Sequence, residues 1–259
     1  LLYYAIMTRS FDMVKFVIDT SPQLLTMGTS KDNPLIIALH YPNVRVIDYI
    51  LDRDPQCTYL RTDGNVTPLH LVSCVYIAKR LHAMDPTMID TMTHYGMTPL
   101  HFAVNQNNMR LIEYLYMLRP SSISARDNAG DTPFGRALQR RVTVKHMLRM
   151  APNLDEVGSQ GNTVLHIAVE HCVLQEDEST LQRVFDLHRK DIKTPNRDGN
   201  TPYHIARRYN NQFAIRMLEH NVSVGDLFDI HILYNPLDTS ELQRSVTQQC
   251  VLLDVYLLP

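Results

Sequence analysis

Twelve histidines give this chain its most obvious chemical potential. An imidazole can ligate a metal, relay a proton or activate a nucleophile near neutral pH. Four of them, His70, His101, His166 and His204, each stand three residues after a threonine: Thr67, Thr98, Thr163 and Thr201. Because the pairing recurs, the expected role is structural, with the ring bonded to loop backbone and to the threonine hydroxyl. The other eight histidines are scattered. No H-E-x-x-H zinc motif appears, nor a G-x-S-x-G nucleophile elbow, nor a glycine-rich phosphate loop of either common kind. Cys57, Cys74, Cys172 and Cys250 form no C-x-x-C pair and read as packing thiols of a reducing, cytoplasmic compartment. The acidic run Glu176-Asp177-Glu178 reads as a solvated loop. Arg140-Arg141 and Arg207-Arg208 read as solvated helix ends rather than phosphate sites. The expectation is therefore no catalytic residue, no metal and no cofactor.

The elements that carry these residues must come from a chain that is 44% hydrophobic and 20% charged, with a net charge of −2. That is ample for a core. It lacks the basic excess of a nucleic-acid binder, so no nucleic-acid partner is expected. No apolar run reaches the roughly 18 residues of a membrane span. The sequence starts at Leu1 without an initiator methionine, so its true N-terminus is open and a missing targeting signal carries no weight.

One phrase organises the chain. Thr67-Pro68-Leu69-His70, Thr98-Pro99-Leu100-His101, Thr132-Pro133-Phe134, Thr163-Val164-Leu165-His166 and Thr201-Pro202-Tyr203-His204 follow one another at spacings of 31, 34, 31 and 38 residues. Weaker copies start at Asn33-Pro34-Leu35 and Asn235-Pro236-Leu237. Leu1-Leu2-Tyr3-Tyr4-Ala5 matches the Pro-Leu-His-x-Ala part of another, so the sequence opens inside a repeat. Thr98 can cap a helix and Pro99 suits its first turn. Leu100 and Ala103 share one face. Gly96, Gly130, Gly161 and Gly199 stand two residues before their threonines, where a tight turn needs a permissive backbone. Asp63-Gly64 and Asp198-Gly199 are good turn dipeptides. A second helix follows in each unit, as in Met109, Leu111, Ile112, Tyr114 and Leu115, or Met13, Val14, Phe16, Val17 and Ile18.

The phrase and its period resemble the ankyrin-repeat family. The resemblance implies an all-α solenoid of stacked helix pairs with short turn fingers, each pair stabilised by its neighbours. Repeats are expected near 1–30, 31–63, 64–94, 95–128, 129–159, 160–197 and 198–222. A degenerate repeat or cap would occupy 223–259. The third repeat is short: Val72 is followed after five residues by Ile77, where the fourth needs eight to pass from Ala103 to Leu111. The truncation is expected in the turn between its helices. The sixth is long, with an insertion around Val173 to Ser179.

Within that family, residues 1 to about 118 resemble the ankyrin region of calcium-independent phospholipase A2. The features are Asp12-Met13-Val14, Leu25-Thr26-Met27-Gly28, a degenerate second repeat at Pro34 and Ala38, and Ile50-Leu51-Asp52 with Gln56. A Gly64 start, and a truncated third-repeat helix at Ile77-Ala78-Lys79-Arg80-Leu81, complete them. The resemblance implies the regulatory and oligomerising part of a lipase that cleaves the sn-2 acyl ester with a patatin-like domain. That domain's motifs are not in these residues, so no catalytic residue carries over.

The expected function is protein binding on a concave face made of turn tips and first helices. Its candidate residues are Tyr95, Met97, Gln106, Asp131, Arg140, Gln160, Asn162, Arg197, Asn200, Arg208 and Tyr209, with Tyr95, Arg197 and Tyr209 as the best anchors. Alternatives are a stand-alone adaptor or inhibitor and the cytoplasmic domain of a channel or receptor. Self-association is a further expectation.

Overall fold

A computed structural model describes residues 1–26, 33–140, 147, 158, 160–172 and 178–220. The expected cap at 223–259, most of the acidic insertion, Met27-Gly28, Arg141 and Cys250 lie outside the described residues, as do the side chains of Arg140 and Cys172. The chain divides into two compact units, Leu1–Ser159 and Gln160–Pro259. Among the described residues every regular element is a helix or a 3-10 turn.

Unit one contains the pairs α1 (Leu2–Met7) and α2 (Phe11–Thr20), α3 (Pro34–His40) and α4 (Val44–Arg53), α5 (Pro68–Leu71) and α6 (Val75–Met84), and α7 (Pro99–Asn105) and α8 (Met109–Leu118), then α9 (Pro133–Arg140). The first helices pack in series, α1 on α3, α3 on α5, α5 on α7 and α7 on α9. The second helices do the same, α2 on α4, α4 on α6 and α6 on α8. Unit two contains α10 (Val164–Cys172) with α11 (Glu178–Leu187), and α12 (Pro202–Arg208) with α13 (Gln212–Glu219). There α10 packs on α12.

The sequence dictates these short helices at both ends. Thr67, Thr98 and Thr201 start α5, α7 and α12 in a reciprocal capping arrangement with the histidine three residues on, and a proline fills the first helical position. The first helix then stops at a left-handed residue: Arg9 at φ 57°, Asn107 at 54° and Asn210 at 52°. Asparagine tolerates that region better than most residues. A second cap follows at once. Ser10, Asn43, Asn108 and Asn211 accept backbone N–H bonds at the starts of α2, α4, α8 and α13. The inner part of each second helix's apolar stripe is then buried: Val14, Val17 and Ile18 on α2, where Met13 and Phe16 stay exposed, Ile47, Ile50 and Leu51 on α4, and Leu111, Ile112 and Leu115 on α8. Each such side chain contributes about 1.5–3 kcal/mol on burial.

Two expectations about the third repeat need correction. Its second helix, α6, is a full ten residues, and the short one is α5 with four. The three residues missing between Val72 and Ile77 amount to nearly one helical turn, and they are removed from the end of α5 together with its left-handed stop. Val72 leaves in extended conformation yet stays buried at the alanine position. The turn before Thr67 also differs from the glycine expectation. The left-handed residue is Asn65 at φ 56°, two before the threonine as in the other repeats, and not Gly64. Glycine holds that position at 96, where the fit is tight, and at 199, where nothing lies within 4 Å of an added Cβ. A Cβ on Gly96 would lie 2.6 Å from Asn128 Oδ1 and 2.8 Å from its backbone nitrogen.

Candidate protein-interaction surface

Each finger is a tight turn in which the glycine N–H returns to the carbonyl three residues before it and a second backbone bond closes the base. Thr93 N–H donates to Met97 O at 3.0 Å, Asp127 to Asp131 O at 2.9 Å, and Asn196 to Asn200 O at 2.8 Å. Neighbouring fingers are tied together. His94 N–H donates to Gly64 O at 2.8 Å and Asn128 N–H to Tyr95 O at 2.9 Å in unit one; Arg197 N–H donates to Gln160 O at 2.8 Å in unit two. Side-chain amides add to this: Asn128 Nδ2 donates to His94 O at 2.8 Å, and Asn196 Nδ2 to Asn162 Oδ1 at 2.8 Å.

The repeat histidines underpin the fingers. In His101 the Nδ1 accepts the Thr98 backbone N–H at 3.1 Å, so Nε2 carries the proton and donates to Asp131 O at 3.2 Å in the next finger. His70 does the same from Thr67 to Met97 O at 3.1 Å, and His166 from Thr163 to Asn200 O at 2.8 Å. The threonine hydroxyl lies 2.8–2.9 Å from Nδ1 in these three rings. Burial disfavours the charged ring and pushes His70 and His101 down to about 4, and His166 down in the same direction. These three rings are held neutral as braces.

The candidate residues separate into three groups. Tyr95, Gln106, Gln160, Arg197, Arg208 and Tyr209 are exposed, Tyr95 most clearly at 71%. Met97 and Asn162 are half-buried. Asp131 and Asn200 are buried, contrary to the expectation of tip residues open to a partner. The reason is the brace: each supplies the carbonyl that the preceding repeat's histidine reaches, and each N–H is held by the side chain of Asp127 or Asn196. Tyr209 is exposed but engaged. Its hydroxyl donates to Glu170 Oε1 at 2.8 Å, which raises the phenol's pKa. Arg140 sits at the end of α9, with its side chain outside the described residues.

The list missed Phe102 and Leu71, which share one register position on α7 and α5 and are both half-buried. Phe102 stands edge-on to the His70 ring at 5.1 Å. Both follow the repeat histidine directly, and that regularity was available in the sequence. Exposed Met92 was also missed. Of the cysteines, Cys57 is buried with its thiol pushed up to about 12, whereas Cys74 caps α6 instead of packing in the core.

Residues 89–137 match the family model of ankyrin repeats in many copies. Together with the helix pairs, fingers and capped first helices, that decides the architecture. The chain is built of ankyrin repeats. It is 27% identical over 154 residues to a putative ankyrin repeat protein of fowlpox virus, covering 57% of this chain and 25% of that protein. It is 27% identical over 180 residues to the B-cell lymphoma 3 protein homolog of Mus musculus, covering 66% and 39%. An ANK repeat-containing protein of Caenorhabditis elegans is 30% identical over 138 residues, covering 47% and 22%. The chain thus spans 22–39% of the length of these three relatives. Among solved structures, a chain in the complex of a Bdellovibrio bacteriovorus predatory endopeptidase with an immunity protein shares the fold. Its TM-score is 0.58 at 20% identity, over 72% of this chain and 96% of that one. No helix among the described residues is long and apolar enough to cross a membrane.

Proposed function

We propose that these repeats form a protein-interaction domain that engages its partner through finger tips and the exposed flank of the first helices. The observation that carries this reading is Tyr95. The residue is 71% exposed, while its backbone is pinned on both sides, N–H to Thr93 Oγ1 at 3.3 Å and carbonyl from Asn128 at 2.9 Å. An aromatic anchor held in place loses little freedom on binding. Exposed Met92 and half-buried Met97 flank it in sequence. Hydrolysis is assigned to no residue of the chain, and a cytoplasmic setting accords with the free thiols Cys57 and Cys74.

A second reading makes the chain the regulatory and oligomerising part of a larger phospholipase A2. Its support is the order of motifs in residues 1–118, with a third repeat shorter than its neighbours. No relative named above is called a lipase. A G-x-S-x-G elbow elsewhere in the parent open reading frame would favour this reading, and a complete frame without one would end it.

The binding face is tested by titrating any partner recovered with the wild-type chain against Tyr95→Ala. Loss of a well-packed anchor costs about 2 kcal/mol or more, roughly 30-fold in affinity, with an unchanged unfolding midpoint. Unchanged affinity for Tyr95→Ala, with loss on Met117→Ala, would place the site on α8, where Met117 is 78% exposed.

A further inference from the structure

In unit one the sixth residue of a second helix fastens it to the second helix before. Tyr49 of α4 bonds Asp19 of α2; Arg80 of α6 pairs with Asp48 at 2.6 Å and Asp52 at 2.7 Å on α4; Tyr114 of α8 lies under Lys79 of α6, 5.9 Å from Nζ to ring centre. Counted from its cap Asn211, α13 in unit two has Met217 at that position, a side chain with neither charge nor ring. Between α11 and α13 lies an open groove of 510 Å³. Cavities of about 300–1,000 Å³ are the size that takes a ligand.

The groove has an apolar floor and one basic end. Phe185 and Met217 are buried in its floor and Phe213 is half-buried beside them. Arg189, Arg216 and His220 line it from exposed positions at or near the C-terminal ends of α11 and α13. The Arg189 guanidinium stands 5.6 Å from the Phe185 ring centre, so a charge lies at the edge of the floor. Arg189 also holds Asp186 at 3.2 Å, but with the two side chains 64% and 49% exposed that pair is weak. Arg216 donates its Nε to Gln212 O at 3.2 Å and has no carboxylate partner among the described residues. The opposite end, at the first turn of α11, carries Glu178, the one carboxylate among the lining residues described. From Glu178 to Arg189 the lining runs the length of α11, roughly 15 Å. That is long for a single small anion and suits a stretch of polypeptide.

We propose that this groove binds a short acidic segment of a partner protein, with bulky apolar side chains on Phe185, Phe213 and Met217 and carboxylates beside Arg189, Arg216 and His220. The thioether of Met217 adapts to anchors of different shape, and guanidinium forks match carboxylates. Glu178 orients the segment, favouring a lysine at the end away from the carboxylates. The site lies on second helices of unit two and stands independently of the finger-tip reading.

The test titrates the full chain against a fluorescein-labelled peptide, Lys-Leu-Leu-Phe-Asp-Glu-Asp, followed by anisotropy. Saturable, salt-sensitive binding is expected, weakened about 10-fold or more when the three acids become lysines or the three apolar residues become serines. Arg216→Glu should weaken the acidic peptide by about 10-fold and Arg216→Lys much less, with unchanged unfolding midpoints because residue 216 is exposed. Arg189→Glu with Arg216→Glu should prefer the lysine peptide, a reversal that damaged folding would not produce. Tyr95→Ala should leave all of these affinities unchanged. The proposal is overturned by no saturable binding up to about 1 mM peptide, by equal affinity for the acidic and lysine peptides, or by binding that survives Arg216→Glu. It is also overturned by binding that appears only after Leu253→Asp with Tyr256→Asp, since the chain's own tail would then be the occupant. Capture by phosphatidylserine vesicles in place of the peptide, lost in Arg216→Glu, would replace the protein partner with a lipid surface.

Discussion

The third and fourth repeats are neighbours in unit one and differ chiefly by one turn of helix. α7 runs seven residues and stops at left-handed Asn107; α5 runs four and passes through extended Val72 almost directly to Cys74. Both keep the threonine–histidine capping arrangement, a fully buried leucine at 69 or 100, and an imidazole bond to the next finger. The short repeat gives up the left-handed stop and the asparagine cap. Asn108 both caps α8 and donates to Ser73 O, whereas the Cys74 thiol accepts only the Ile77 N–H at 3.5 Å. Of the coupling that the first helix carries, the part that both repeats keep therefore lies in its first turn and in the finger. The last turn of that helix is dispensable.

If that is right, Leu69→Ala should hurt as much as Leu100→Ala, each by about 2–5 kcal/mol in chemical denaturation. A silent Leu69→Ala would make α5 a passive spacer. Asn107→Ala serves as the surface control, yet it should still cost about 1 kcal/mol, because alanine at φ 54° is strained. Asn107→Gly should cost nothing.

A second expectation concerns acid. The unfolded chain protonates its histidines near the ordinary 6.5, whereas folded His70 and His101 resist protonation down to about 4. Their contribution is complete above pH 6.5 and is lost as pH falls toward 4, because the unfolded state then binds more protons. The slope should be about 1.4 kcal/mol per pH unit for each ring. Short and long repeats should contribute alike, so His70→Asn and His101→Asn should each flatten the stability–pH curve to the same degree. A curve unchanged by either variant would show that the rings titrate normally when folded.

The smallest effect should be a gain. Cys74→Asn restores the amide that Asn43 and Asn108 use, and should raise stability by about 0.5–1 kcal/mol. No change would mean that the missing turn has moved the cap out of reach of the repeat before it.

Much of this was legible beforehand because it is local. Thr98, Pro99 and His101 act within one helical turn, so the spacing alone announces the cap. Gly96, Gly130, Gly161 and Gly199 reveal a left-handed residue because few others fit there. What escaped depends on the next repeat. Asp131 and Asn200 look like open tips until the histidine from the repeat before is placed against their carbonyls. The residues missing after Val72 looked like a shortened turn, because a one-letter pattern does not say which helix gives up its residues. Asn43, Asn108 and Asn211 went unremarked, since asparagine before a helix is common and its second bond crosses 34 to 42 residues.

Those asparagines give the stack a direction in time. Asn43 reaches the carbonyl of Arg9, Asn108 that of Ser73 and Asn211 that of Val169, always toward the side already made as a ribosome elongates the chain. The histidines reach the other way, toward a finger not yet made. An emerging repeat finds its second-helix cap half-satisfied by the repeat before it, while its own imidazole waits for the repeat to come. Growth from the Leu1 side thus proceeds with one open bond at the advancing edge. Assembly from the opposite end would reverse the roles, with the imidazole satisfied at once and the asparagine amide open until the repeat before it docks.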